Sequence, residues 1–406
     1  MTTQTLSTTT EAISAPKVAA VAKTAQGSIT AHRFLYIDNV RAFLTILVLL
    51  HHIMIIYSGS GDWIYNEGRQ DTVTEIIGGF FTTVNQTYFM GLFFLISAYF
   101  VPGAFDRKGT KRFWKDRLVR LGIPLALYSW VIQPLFVYGY LYVTEGLRTS
   151  FWTFFTRQYF SFGYFIGQGP MWFVEALLLF TLVYAVGRWL LRSRPAAQPA
   201  QGTFPSNRAI AIFALLMGLA GFAMRLEFPM GWNFSPLNFQ FPYFAQYIIM
   251  FAIGLLVYRR GWLENLPEAT GRLWLKLVGP IILMYVPIAF FGGGLENPEP
   301  FLGGFTWQSM LYSLWEAFVC VSLCISMLYL FRRYANRQGR FGAFLSRNAY
   351  GAYIMQAPVI TAVALSMYYL PYHPLLKFVL AALVAVPLCF GISRLLRMLP
   401  YADRVL

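Results

Sequence analysis

The 406-residue chain is 57% hydrophobic and only 12% charged, and its 32 Lys and Arg outnumber its 17 Asp and Glu. Soluble globular domains carry about 25% charged residues, so this composition argues against a water-soluble protein. The four histidines and three cysteines show no metal-ligand spacing, and no basic groove motif accompanies the positive charge, which argues against a metal centre and a nucleic-acid partner.

The first 32 residues are rich in Thr, Ala and Ser and lack the apolar core that a secretory signal needs. We therefore predict a disordered cytoplasmic tail over residues 1–32. Long apolar runs follow, and a membrane-spanning helix needs roughly 20 mostly apolar residues. The runs are continuous, as expected of helices. The sequence predicts an all-α polytopic integral membrane protein with about ten transmembrane helices, near residues 36–57, 76–102, 118–140, 171–191, 209–224, 241–258, 275–292, 307–331, 347–369 and 375–393.

The positive charges are distributed unevenly between alternate connecting segments. If the N-terminus is cytoplasmic, 26 of the 32 Lys and Arg lie in segments on the cytoplasmic side, and Arg41 lies within the first span. The outer segments hold only Arg69, Arg148, Arg157, Arg225 and Lys377. The positive-inside rule then predicts that both termini are cytoplasmic, in a multi-pass protein of the plasma (inner) membrane. We expect a membrane domain over residues 33–393 and a short cytoplasmic tail over 394–406.

Ionisable groups within spans are costly, by roughly 2.5–3.5 kcal/mol each near the bilayer centre, and they often mark function. The first span holds three: Arg41, His51 and His52. His52 follows Arg41 by eleven positions, which is about three full helical turns, so the two side chains share one face. Asp38 is placed to pair with Arg41, and His51 points about 100° away from His52. Later spans add Glu175 and Glu316, of which Glu316 is expected to be structural.

The shared face of Arg41 and His52 suits a long anionic donor that enters from the cytoplasm. A cation near the inner surface attracts phosphates, and a deep imidazole suits proton transfer near neutral pH. Acyl-coenzyme A has this shape, and we expect both side chains to face one cavity that reaches from the inner surface to His52. The alternative is that Arg41 snorkels to the interface and the histidines hydrogen-bond a neighbouring helix.

The run from Tyr36 to His52 resembles the opening of acyltransferase family 3 membrane proteins, whose signature is an arginine, ten residues and a histidine. Further motifs resemble later parts of the family in order, from about residue 33 to about 393. They are FFLISAYFVPG (Phe93–Gly103), RFWKDRLVRLGIP (Arg112–Pro124), GPMWFVEALLLF (Gly169–Phe180), YIIMFAIGLLVYRRGWL (Tyr247–Leu263) and NAYGAYIMQAPVI (Asn348–Ile360). Within the family, the chain looks similar to the branch that contains periplasmic-glucan succinyltransferases.

The resemblance implies that His52 is the catalytic residue and Arg41 its essential partner. His52 then acts as a general base or carries the acyl group transiently, and the sequence leaves both open. Arg41 binds the donor or stabilises an oxyanion. The candidate substrate-binding residues are Asp38, His51, Ser97, Arg117, Arg120, Trp172 and Glu175. Arg117 and Arg120 are expected to meet nucleotide phosphates, whereas Trp172 and Glu175 are expected along the acceptor path.

Two positions depart from the family pattern. Gln356 stands where the family usually has histidine, and glutamine hydrogen-bonds but does not titrate. Ala98 replaces a glycine, which bears on close helix packing. The chemistry is therefore expected to rest on the first span.

The sequence predicts a membrane O-acyltransferase that uses acyl-CoA as donor, needs no permanently bound cofactor or metal, and acylates a hydroxyl of a carbohydrate or other acceptor at the outer face. Acetyl and succinyl groups both fit. A polytopic transporter or flippase for a polar or anionic substrate is the main alternative, although no internal repeat or broken helix is evident. A receptor-like or scaffolding membrane protein is the second alternative. Neither accounts for the Arg41–His52 spacing.

Overall fold

A computed structural model describes residues 34–67, 71–160, 169–191, 202–235, 237–294 and 296–405. The predicted tail over residues 1–32 lies outside these ranges, as does Arg69. The described chain is an all-α polytopic membrane protein, in which the pairing of Phe234 with Phe239 is an isolated β-bridge. This architecture confirms the fold class that the sequence predicts.

The α-helices of the described residues are labelled α1 to α14. In chain order they are α1 (Leu35–Ser58), α2 (Thr72–Arg117), α3 (Ile123–Leu127), α4 (Gln133–Thr144), α5 (Phe151–Thr153), α6 (Trp172–Leu190), α7 (Asn207–Glu227), α8 (Phe244–Arg260), α9 (Glu268–Leu283), α10 (Tyr285–Phe291), α11 (Glu299–Leu302), α12 (Trp307–Tyr334), α13 (Arg340–Ser366) and α14 (Pro374–Leu396). Short 3₁₀ turns precede α6 and α8.

Nine stretches of the described residues are long and apolar enough to cross a membrane. One of them, Thr72–Thr144, has 73 residues and contains the predicted spans 76–102 and 118–140. Between those spans Gly109 adopts φ 67° and ψ 171°, a left-handed conformation that interrupts the helix and favours glycine. Each of the ten predicted spans therefore coincides with a helical stretch, although 171–191, 275–292 and 347–369 extend one to three residues past its end. The side of the membrane that each terminus faces stays a prediction.

Two π-helical turns interrupt the chain between α2 and α4, at Leu118–Gly122 and Tyr128–Ile132. Each turn is followed within two residues by a proline, Pro124 or Pro134. Proline lacks an N–H and clashes with the preceding turn, so a locally widened helix accommodates it. These turns supply Leu121 and Tyr128, whose side chains line the two cavities described below.

Helix α1 occupies the centre of the described bundle. It contacts α2, α12, α13 and α14. The apolar window of α1 is 72% buried, compared with 6% for the stretch Glu268–Phe291. Most side chains of α1 consequently face protein.

Helices α2 and α8 approach closely because both present small side chains. Ala98 of α2 is fully buried, and a Cβ atom built on Gly254 of α8 would lie 2.3 Å from the Leu95 carbonyl oxygen. The same atom would lie 2.7 Å from the Ala98 Cβ. The glycine at this contact is thus supplied by Gly254, which accommodates the alanine at position 98.

We expect Gly254→Ala to destabilise the protein by about 1–3 kcal/mol, because the added methyl group overlaps backbone that has no room to move. The matched control is Gly279→Ala on α9, where an added Cβ meets no atom within 4 Å. The measurement is the unfolding midpoint of each purified variant in detergent. Equal midpoints for the two variants would contradict this account of the α2–α8 contact.

Two cations that the sequence assigns to outer segments are instead buried within helices. Arg225 is fully buried at the end of α7, where its guanidinium lies 2.5 Å from the Glu316 carboxylate and 3.0 Å from the Ser313 hydroxyl. Lys377 of α14 is also buried and donates a hydrogen bond to Glu67. The positive-inside rule counts charges by side and takes no account of buried partners, so it does not anticipate these two pairs.

Candidate active site

Five of the predicted site residues meet in one cavity of about 630 Å³: Asp38, Arg41, Ser97, Arg117 and Arg120. The cavity wall carries eight basic and two acidic side chains, and we call it the basic cavity. The remaining charged members are Arg107, Lys108, Asp116, Arg347, Arg397 and Arg404. A concave wall with this excess of one sign concentrates anions.

Arg41 reaches the basic cavity from the central helix α1. Its side chain is exposed to this internal space, and it interacts electrostatically with Asp38 and Arg120. Asp38 lies one turn earlier on α1, as the three-residue spacing predicts. Arg41 is therefore a cation inside the protein whose neighbours on the wall are mostly other cations.

Several residues of the basic cavity were not among the site residues predicted from the sequence. Arg347 belongs to α13, and Arg397 and Arg404 belong to the C-terminal segment that the sequence treats as a tail. The last described residue, Val405, also lines the cavity. Nothing in the sequence distinguishes these arginines from the general excess of positive charge on the predicted inner side.

A second cavity of about 380 Å³ brings together His52 and Trp172, and we call it the His52 cavity. Its aromatic lining consists of Trp63, Tyr128, Phe136, Tyr140 and Trp172. Its polar lining beyond His52 consists of Asp62, Gln133, Glu145, Asn238 and Gln240. Aromatic faces combined with amides and carboxylates suit a polyhydroxylated ligand.

The imidazole of His52 is held from two directions. Its Nδ1 lies 2.9 Å from Oε1 of Gln356 on α13. Its ring stacks on Trp63, with ring centroids 4.4 Å apart and planes 28° apart. The indole of Trp63 in turn donates a 3.1 Å hydrogen bond to Thr361 Oγ1. Sequence reasoning missed Trp63, which lies in the connection between α1 and α2.

Arg41 and His52 line two cavities, where the sequence predicts one. Helices α1, α6 and α13 contribute to both cavities, so the two spaces lie one after the other along the same helices. Tyr353 lines the basic cavity and donates a hydrogen bond to the carbonyl of Pro170, which lines the His52 cavity. The contact between Tyr353 and Pro170 thus stands between the two spaces.

Two predicted site residues lie away from both cavities. His51 is buried against Phe89 of α2, with ring centroids 4.9 Å apart, and its Nδ1 has no hydrogen-bond partner among the described residues. Glu175 is half-buried on α6, and no described residue hydrogen-bonds its Oε2. His51 thus lies beside His52, with ring centroids 5.5 Å apart, but neither His51 nor Glu175 lines either cavity.

A family model described as an acyltransferase domain matches residues 34–394. The chain belongs to acyltransferase family 3. This membership confirms the resemblance that the arginine–histidine motif of the first span indicates. In this member of the family, the departure at Gln356 falls on the side chain that hydrogen-bonds His52.

Curated relatives include proteins named glucans biosynthesis protein C from Salmonella paratyphi A and Salmonella agona (strain SL483). Each is 28% identical to this chain over 239 residues, which is 57% of this chain and 60% of the relative. The chain thus spans about 60% of the length of the curated relatives that it matches. No solved structure matches the chain.

Proposed function

We propose that the protein is a multi-pass O-acyltransferase of the plasma (inner) membrane. It moves an acetyl- or succinyl-class group from cytoplasmic acyl-CoA to a hydroxyl of a carbohydrate at the outer face. The observation that carries the proposal is the placement of Arg41 in the basic cavity and of His52 in the aromatic, polar cavity beyond it. One helix, α1, holds both side chains.

The basic cavity suits the phosphates of the donor. Arginine guanidinium groups bind phosphates through paired, charge-assisted hydrogen bonds, and Arg41, Arg117 and Arg120 share this wall. Eleven helical residues place Arg41 roughly 16 Å from His52 along the axis of α1. We therefore assign Arg41 to donor binding and not to the oxyanion. The acyl end of the donor passes Tyr353 to reach His52.

The His52 cavity suits a carbohydrate acceptor. Sugar rings pack their apolar faces on aromatic side chains, and their hydroxyls bond to carboxylates and amides such as Asp62, Gln133 and Gln240. The glucan in the names of the curated relatives supports the same class of acceptor. Trp172 belongs to this lining, which supports its proposed place on the acceptor path.

In the proposed reaction His52 acts as the general base. The imidazole takes the proton of the acceptor hydroxyl while the hydroxyl oxygen attacks the thioester carbonyl carbon. A carbon–oxygen bond forms, the carbon–sulfur bond breaks, and the departing coenzyme A sulfur takes up the proton from His52. The products are an O-acyl ester and free coenzyme A, and the imidazole returns to its neutral form.

The proposal is tested with purified protein in proteoliposomes, supplied with isotope-labelled acetyl-CoA or succinyl-CoA and a glucan oligosaccharide. We expect label in the oligosaccharide and stoichiometric release of free coenzyme A. Movement of oligosaccharide or anion across the vesicle membrane without an acylated product would instead identify a transporter. Neither product nor transport with correctly folded protein would contradict the proposal.

We expect Arg41→Met to raise KM for acyl-CoA by about ten- to a hundredfold, because the donor loses a charge-assisted hydrogen bond. The control is Arg272→Met on α9, which removes an exposed arginine paired with Glu268 and should leave KM unchanged. Initial rates at varied acyl-CoA concentration give both values. An unchanged KM in Arg41→Met would remove Arg41 from the donor site.

A further inference from the structure

Gln356 contacts the side chain on which the proposed chemistry depends. The amide is fully buried in α13, and its Oε1 lies 2.9 Å from His52 Nδ1. An amide oxygen only accepts hydrogen bonds, so Nδ1 of the neutral imidazole carries the proton. The lone pair of the ring is consequently on Nε2.

We propose that Gln356 is a positioning residue for acyl transfer, which holds His52 in the tautomer whose Nε2 accepts the proton of the acceptor hydroxyl. This inference rests on the proposed function, and it adds a residue with no titratable group to the site. The opposite tautomer would place the Nδ1 lone pair against the amide oxygen and a proton on Nε2. In that state the ring repels the amide oxygen, and its lone pair points at Gln356 instead of the acceptor hydroxyl.

Helix α13 restrains His52 through a second contact, which follows Gln356 by five residues. Thr361 is buried and accepts a 3.1 Å hydrogen bond from the Trp63 indole, and Trp63 stacks on the imidazole. Gln356 fixes the ring at one edge, whereas Trp63 covers one face. One edge and one face of the imidazole are thus occupied. The remaining part of the ring faces the His52 cavity.

The test compares two substitutions of the same buried side chain. Gln356→Met has similar length and no acceptor, and we expect kcat to fall about tenfold, the factor that corresponds to one hydrogen bond. KM for acyl-CoA should stay unchanged, because the basic cavity does not include Gln356. Gln356→Glu keeps an acceptor oxygen at the same position and should restore most of the lost kcat. A residue needed only for folding would not give this split between kcat and KM.

The matched control is Gln246→Met on α8. Gln246 is another buried glutamine, which donates a 2.7 Å hydrogen bond to the Thr87 carbonyl and lines neither cavity. The kcat of the Gln246→Met variant should equal the wild-type value. The amount of each variant in the membrane and its unfolding midpoint show whether it is folded.

If Gln356→Met does not accumulate, Thr361→Val tests the same restraint through Trp63, since valine has the shape of threonine without the acceptor. We expect lower kcat at unchanged KM there as well. Wild-type kcat in folded Gln356→Met, or equal losses in folded Gln356→Met and Gln356→Glu, would overturn the inference while leaving the proposed function intact. An inactive wild-type protein would overturn both.

Discussion

His52→Gln is expected to lower the rate of acyl transfer by about 10²–10⁴-fold, the range that general acid–base catalysis contributes. Glutamine keeps a hydrogen-bonding group of similar size but does not take up a proton at neutral pH. The loss should appear in kcat, because the phosphates of the donor bind in the basic cavity at the other end of the site. Initial rates per amount of folded protein give the value.

The control for that substitution is His373→Ala. His373 is exposed and lies at the start of α14, where its side chain accepts a hydrogen bond from the Leu375 amide. It lines neither of the two cavities, so activity should stay at the wild-type value. Full activity in folded His52→Gln would refute proton transfer by this residue and would leave the motif of the first span without a chemical role.

Glu316→Ala is expected to destabilise the protein by about 3–5 kcal/mol, because it leaves the Arg225 guanidinium buried without its counter-charge. Arg225 is 0% exposed and Glu316 is 5% exposed, so water does not replace the lost partner. The aromatic rings of Tyr243 and Tyr312 lie 5.5 and 5.3 Å from the guanidinium, which offsets only a part of the lost interaction.

The double substitution Arg225→Met with Glu316→Leu should recover most of this stability, since it removes both charges together. Glu268→Gln is the matched control, because it neutralises a carboxylate whose ion pairs with Arg272 and Arg333 are exposed and contribute little. The measurement is the unfolding midpoint of the wild-type protein, Glu316→Ala, the double variant and Glu268→Gln. A single Glu316 variant as stable as wild type, or a double variant no better than the single, would contradict an uncompensated buried charge as the cause of the loss.

The spans were predictable from the sequence because the bilayer imposes a simple condition on each of them. An apolar run of sufficient length must become a helix wherever its backbone has no water to bond to. Even the short predicted spans 209–224 and 275–292 therefore coincide with helical stretches, the second of them divided at Met284. The buried pairs were not predictable, since Arg225 and Glu316 are 91 residues apart and Glu67 and Lys377 are 310 apart.

The site was predictable where its residues share a helix or a motif. Asp38 and Arg41 share a turn of α1, and Arg117 and Arg120 share one basic motif, so their grouping follows from local spacing. The contact between His52 and Gln356 joins positions 304 residues apart. The sequence singled out Gln356 only as a departure from the family pattern, and its role near His52 required the packing of α13 on α1.

The most direct test of the central claim is mass spectrometry of cell-envelope glycans. The cells compared would carry the wild-type gene, no copy of the gene, or the His52→Gln variant at matched protein levels. The proposed function predicts glycans with the mass increment of an acyl ester only when the wild-type protein is present. The same acylated glycans in all three strains would contradict acyl transfer by His52.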